Sequence, residues 1–225
     1  MNDTLHIWHH MGMGDFLIAN GIVRHYAEKW KNVVLFYKDP NKANVERLYN
    51  DLDNISFKDG GIHEDHLAKG WVLLNPMKPL LKIRLETALP PGQSLESYFY
   101  GQAGLPVSHK WEKFHFNRDM DEERRVYHEV LGLEDGEDYV FAHLDWDKDV
   151  KEFPDEVRVV RPDNMDVSLF DYLYVMERAR EVHVMGSSFY CLIDCIQLQN
   201  DRLFYHEYMR GLPLGPTNLN WNVIR

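Results

Sequence analysis

Three short segments of this 225-residue chain carry residue types that could do chemistry. The first is His9-His10-Met11-Gly12-Met13-Gly14-Asp15, a turn that opens a helical pattern. Glycines at 12 and 14 let the backbone turn sharply and let a ligand approach the main chain. The helix start offers unpaired N–H groups and the positive end of a dipole, which suit an anion. A carboxylate there, Asp15, stands at the carboxyl ends of the strands, where α/β folds place ligands; Asp is also a favoured N-cap residue, so a structural role stands beside that one. The second is Gly186-Ser187-Ser188-Phe189, again between a strand pattern and a helix pattern. Its hydroxyls can cap the helix or hydrogen-bond a phosphate. The third is His143-Leu144-Asp145, a histidine and an acid where a strand meets its loop. That placement suits a ligand and is equally that of exposed loop residues.

The elements that must position these segments alternate. Thr4 to Trp8 reads as a short buried strand, and Asp15 to Trp30 has apolar residues at helical spacing (Phe16, Leu17, Ile22, Val23, Tyr26, Trp30). Val33 to Tyr37 reads as a strand, Asn44 to Leu52 as a helix, Ile55 to Phe57 and Trp71 to Leu74 as strands. Prolines 76, 79, 90 and 91 punctuate an irregular middle, followed by a helix at Ser94 to Ala103 and a connection at Leu105 to Arg118. A second alternating unit follows, with helices at Asp121–Leu131, Ser168–Ala179 and Ser188–Leu198. Its strands are Tyr139–Leu144, Val157–Val160, Glu181–Met185, Arg202–Tyr205 and Trp221–Ile224. The pattern predicts an α/β chain of two small Rossmann-like parallel-sheet halves facing a cleft, divided as 1–110 and 111–225.

Composition narrows the function. Lys and Arg total 25 against 36 Asp and Glu, a net charge of -11, which disfavours a broad phosphate-gripping surface and hence a nucleic-acid partner. No apolar run approaches the length of a spanning helix, and the first ten residues lack a signal-peptide layout. The two cysteines, Cys191 and Cys195, sit four apart in a helical run and read as buried thiols of a cytoplasmic protein. A dinucleotide fingerprint needs a third glycine where Phe16 and Leu17 stand, so an NAD enzyme is disfavoured. No Gly-x-Ser-x-Gly, Walker or zincin motif occurs, and the expected metal set is none.

The segment His10-Met11-Gly12-Met13-Gly14-Asp15-Phe16 resembles the N-terminal Leu-Gly-Asp turn of heptosyltransferase-like GT-B glycosyltransferases. Ser168 through Ala179, then Val182-His183-Val184-Met185-Gly186-Ser187-Ser188-Phe189, is similar to their nucleotide-binding second domain. The turn Ser187-Ser188-Phe189 also resembles the Ser-Ser-Phe motif of the fucosyltransferase-like group. The resemblance implies a GT-B-like fold, with an acceptor-side domain at 1–110 and a nucleotide-sugar domain at 111–225. It implies Asp15 as catalytic base, His10, Gly12 and Gly14 at the acceptor turn, and His143, Ser187, Ser188 and Phe189 at the donor. Asp145 stands where the fucosyltransferase-like group has an arginine two residues after its histidine. The implied partners are a nucleotide-sugar donor and a glycan or other hydroxyl acceptor, with no metal and no further cofactor. The alternative is a protein of the same fold that binds a nucleotide or sugar phosphate without turning it over.

Overall fold

The computed structural model describes residues 3–61, 65–86, 88–145, 153, 157–164 and 166–225. The chain divides into two compact units, Met1–Asn117 and Arg118–Arg225.

In the first unit, β1 (Thr4–His9) leads into α1 (Met13–Ala27), then β2 (Asn32–Tyr37), α2 (Lys42–Leu48), β3 (Ile55–Asp59), α3 (His66–Leu74) and β4 (Leu80–Ile83). The four strands are all parallel in the order β3-β2-β1-β4. Central β1 is buried from Leu5 onward, and its Ile7 pairs with Leu35 on one side and Leu81 on the other. A parallel sheet covered on both faces takes such near-continuous burial. Helix α1 is buried along Phe16 to Arg24 because α4 (Leu95–Gln102) and α5 (His109–Glu112) also pack on it. The approach is close at Gly21, where a Cβ would lie 2.1 Å from the His109 carbonyl oxygen, so only glycine fits.

Two sequence expectations are corrected here. Trp71–Leu74 is the last part of helix α3, not a strand; a four-residue apolar run does not by itself distinguish the two. The strand beside β1 is β4, which lies just after the prolines at 76 and 79. The unit boundary also falls after Asn117 rather than after residue 110. Residues 111–117 are tied to the first unit: Lys113 pairs with Glu28 at 2.7 Å, and the His115 N–H donates to Asn20 at 3.2 Å. Arg24 completes the tie, donating to the His115 carbonyl at 3.1 Å and gripping both Asp51 oxygens at 2.8 Å.

The second unit has a five-stranded parallel sheet in the order β6-β5-β7-β8-β9. Its strands are β5 (Tyr139–His143), β6 (Arg158–Val160), β7 (Glu181–Val184), β8 (Leu203–His206) and β9 (Trp221–Ile224). Helix α6 (Met120–Arg125) widens into a π-helical turn at Val126–Val130, and Gly132 at φ 61 follows it. The segment read as one helix from Ser168 is a 3-10 turn at Leu169–Tyr172 continuing as α7 (Leu173–Arg178). Helix α8 (Ser188–Ile196) lies almost wholly in the core, carrying Cys191 and Cys195 buried and not joined in a disulfide.

Both sheets reverse their winding beside their first strand, between β1 and β4 and between β5 and β7. In open α/β sheets the carboxyl ends of the strands flanking such a reversal form the ligand crevice. Among the described residues no helix is long and apolar enough to cross a membrane.

Candidate active site

At the first reversal, β1 ends in His9. That ring is fully buried and its Nδ1 donates to the His10 carbonyl. Burial lowers its pKa to about 4, so it is neutral at physiological pH. The chain then turns through His10, Met11 and Gly12, and Asn41 holds the turn by donating to the Met11 carbonyl at 2.8 Å.

The residue capping α1 is Gly12, not Asp15. Asp15 is the third residue of the helix, and its carboxylate folds back to accept the Gly12 N–H and its own. This is the reciprocal half of a capping box, without the hydroxyl half. A Cβ on Gly12 would stand 2.7 Å from Asp15 Oδ2, so the glycine makes room for the carboxylate. Gly14 is the second residue of the helix, inside its first turn. Burial raises the Asp15 pKa to about 6, against the opposing pull of the Gly12 N–H and of the Arg84 and Lys38 charges.

Those two cations come from neighbouring strand ends. Lys38 follows β2, and Arg84 follows β4. Both pair with Asp65, a buried carboxylate at φ 58 that precedes α3; Lys38 Nζ lies 3.2 Å away, and Arg84 is closer still. Arg84 also donates to the His9 carbonyl at 3.2 Å and lies over the Trp8 ring at 4.5 Å. His10 Nε2 accepts the Leu85 N–H at 2.9 Å, which leaves the proton on Nδ1. The His10 pKa is lowered by burial and by the Arg84 charge, and its ring faces Phe99 at 5.9 Å. Asp15, His10, Arg84, Lys38 and Asp65 thus gather at one edge of the first sheet.

The second reversal carries the other expected residues. His143 ends β5 and Ser187 caps α8, and they meet with Nδ1 3.1 Å from Oγ. The Ser187 hydroxyl makes no capping bond, so the N–H groups of the first turn of α8 are not closed by it. Ser188 is the first helical residue, half-buried beside it. Phe189 is turned into the core, against His143 at 4.6 Å, Phe141 at 5.5 Å and Tyr172 at 5.8 Å. It supports the histidine ring from below. The His143 pKa is lowered to about 4 by burial and by the charge of Arg210. Arg210 is exposed after the 3-10 turn Glu207–Met209 that follows β8, with no ion pair to another described residue.

Lys38, Asp65, Arg84 and Arg210 are site residues that the sequence reading missed. Lys38 had a signal, being the first residue after a legible strand. Among the described residues no three His, Cys, Asp or Glu side chains come together as a metal site.

No protein-family model matches the chain, and a search of curated proteins returned no relative. Among solved structures, the chain is similar to a glycosyl transferase family 9 protein from Veillonella parvula DSM 2008. The match has a TM-score of 0.58 and 8% identity, over 99% of this chain and 85% of that one. At that identity the likeness is one of fold. The two parallel-sheet halves, read with this neighbour, give the chain a GT-B-like fold.

Proposed function

We propose that the protein is a metal-independent glycosyltransferase that moves a sugar from a nucleotide-sugar donor to a hydroxyl acceptor, with Asp15 as base. The observation that carries this reading is the Asp15 carboxylate, with its pKa raised to about 6, at the reversal edge of a GT-B-like half. A base of that pKa is ionised at neutral pH and still basic enough to take a hydroxyl proton in the transition state. Arg84 and Lys38 keep it from rising further. As the acceptor oxygen bonds to the anomeric carbon, its proton passes to Asp15. The sugar–phosphate bond breaks, and its electron pair leaves with the nucleoside diphosphate.

The first half supplies acceptor contacts. His10 offers a Nδ1–H, and Gly12 and Gly14 keep the start of α1 free of side chains. The second half supplies donor contacts. The leaving diphosphate gains charge, and the N–H groups opening α8, the Ser187 and Ser188 hydroxyls and the Arg210 guanidinium are donors suited to it. His143, propped by Phe189, holds the Ser187 hydroxyl in place.

The test is a thermal-shift screen against UDP, GDP, ADP, CMP and their sugar conjugates, with NAD and FAD as controls. A ligand that binds only the native state raises the midpoint. The expected result is a shift with one nucleoside diphosphate and its sugar, followed by sugar transfer that Asp15→Asn abolishes. Binding without transfer in the wild type would assign the protein to the non-catalytic reading. No shift with any nucleotide at millimolar concentration would remove the donor site.

A further inference from the structure

Asp65 stands in the N-cap position of α3, where an aspartate ordinarily accepts a helix N–H, yet its carboxylate makes no capping bond. Its backbone is left-handed, at φ 58, a conformation unfavourable for any residue with a Cβ and least so for Asn and Asp. Its side chain is buried, and a buried carboxylate needs partners. Those partners are Lys38, at 3.2 Å, and Arg84, in direct contact. The carboxylate thus serves two cations of the first crevice in place of its own helix.

The two cations come from opposite sides of β1. Lys38 follows β2 and Arg84 follows β4, and these strands flank β1 in the sheet. Asp65 therefore bridges the carboxyl end of β1, where the turn into α1 begins. Arg84 is fixed further by the His9 carbonyl and the Trp8 ring. Lys38 has no ion pair but Asp65 among the described residues. Both charges act on Asp15. Unopposed, two cations beside a carboxylate hold it well below the usual carboxylate range. Here the charges balance: Lys38 and Arg84 stand against Asp65 and the ionised Asp15. His9 and His10, both with lowered pKa values, add no charge at neutral pH. Glu86, just beyond Arg84, is exposed and occupied by Lys82 at 2.5 Å.

We propose that Asp65 is a positioning residue of the first crevice: it clamps Lys38 and Arg84 across the end of β1, offsets their charge, and so keeps Asp15 a working base at neutral pH. This rests on the reading of Asp15 as the base. Asp65 acts on Asp15 in two ways of the same sign. Its own negative charge opposes ionisation of Asp15, and its contacts occupy the two charges that favour it. Without Asp65, Asp15 is a stronger acid and a weaker base.

The experiment is an NMR titration of the Asp15 Cγ carbon in the full chain, its resonance assigned with Asp15→Asn. Wild type should titrate near 6. Asp65→Asn removes the charge, keeps an acceptor oxygen for Arg84 and tolerates the left-handed backbone; it should lower the Asp15 pKa by at least about 0.5. Lys38→Met removes one cation and should raise it. The double variant restores the charge balance and should titrate close to wild type. An Asp65 of purely structural role would change the thermal midpoint and leave the Asp15 titration in place. A folded Asp65→Asn with an unchanged or raised Asp15 pKa therefore overturns the proposal. If Asp65→Asn does not fold, Lys38→Met decides, and an Asp15 titration that does not move in it overturns the proposal equally. The titration needs no substrate. A lowered Asp15 pKa in Asp65→Asn, with no sugar transfer by wild type, would sustain the clamp and remove the proposed function. Sugar transfer with an unmoved Asp15 would do the reverse.

Discussion

The Nδ1 of His143 and the hydroxyl of Ser187 meet at 3.1 Å, joining the end of β5 to the start of α8. β5 and β7 are adjacent, with His143 opposite Val184, so the strand pairing itself brings the two turns together. The contact occupies a hydroxyl that would otherwise cap the helix, and this leaves backbone donors at the α8 start for a ligand.

If this turn holds a diphosphate, its residues should separate by charge. Ser187→Ala and His143→Ala each remove one neutral contact and should weaken nucleoside-diphosphate binding about 3- to 10-fold. Arg210→Ala removes a charge-assisted contact, so the loss should exceed about tenfold and the salt dependence should flatten, with Arg210→Lys recovering part. Titration calorimetry of the four variants measures this directly. Unchanged affinity in all of them would exclude the turn from the donor site.

The Asp15 pKa of about 6 sets a pH profile. The base works when ionised, so kcat/KM should rise with pH through about 6 and then level. Arg84 lowers that pKa by its charge, so Arg84→Met should move the limb to higher pH. Asp15→Asn should cost two to four orders of magnitude in rate, the usual worth of a general base. Its amide oxygen can still accept the Gly12 N–H, so the helix start should survive. An acid limb that stays in place in Arg84→Met would show that Asp15 does not set it.

Gly12→Ala separates geometry from folding. The backbone at residue 12 has φ -73, which alanine adopts freely, but the new Cβ would stand 2.7 Å from Asp15 Oδ2. The carboxylate is the flexible end of a side chain and should swing aside. The expected outcome is a thermal midpoint near wild type with a marked loss of transfer. Full activity in the variant would show that the folded-back carboxylate position is not the working one.

The legible parts of the sequence are those where pattern and partner are local. The β1–turn–α1 unit reads directly, because Phe16, Leu17, Ile22 and Val23 keep a helical period and the glycines mark the turn. Trp71–Leu74 was not legible, since a short apolar run fits helix and strand alike, and the contact that anchors it, Trp71 on His6, joins residues 65 positions apart in the chain. The same misreading hid β4, and with it Arg84, which reaches the site only because β4 pairs with β1. Asp65 was invisible for another reason. Its role comes from a left-handed backbone and two cations on separate strands, and no spacing records that. Phe189 read as a ligand residue by its motif, while burial turns its ring to the core.

Burial of His9 gives a prediction for acid stability. Its folded pKa is about 4, below the ordinary 6.5, so between those values the unfolded chain holds more protons than the native one. Stability therefore rises with pH across that window: the His9 contribution is complete above about 6.5 and is lost progressively as pH falls toward about 4. The loss is on the order of 3 kcal/mol for that one group. Lowered pKa values at His143 and His183 act in the same direction in the second unit. Asp15 acts oppositely, because its raised pKa lets the native state take up a proton near 6, before the unfolded carboxyl does at 3.8. His9→Asn places an amide donor where Nδ1 was, keeps the bond to the His10 carbonyl and cannot titrate. Urea unfolding between about pH 7 and about pH 4.5 should show a flatter acid limb in this variant than in wild type, and identical slopes would remove His9 as the source.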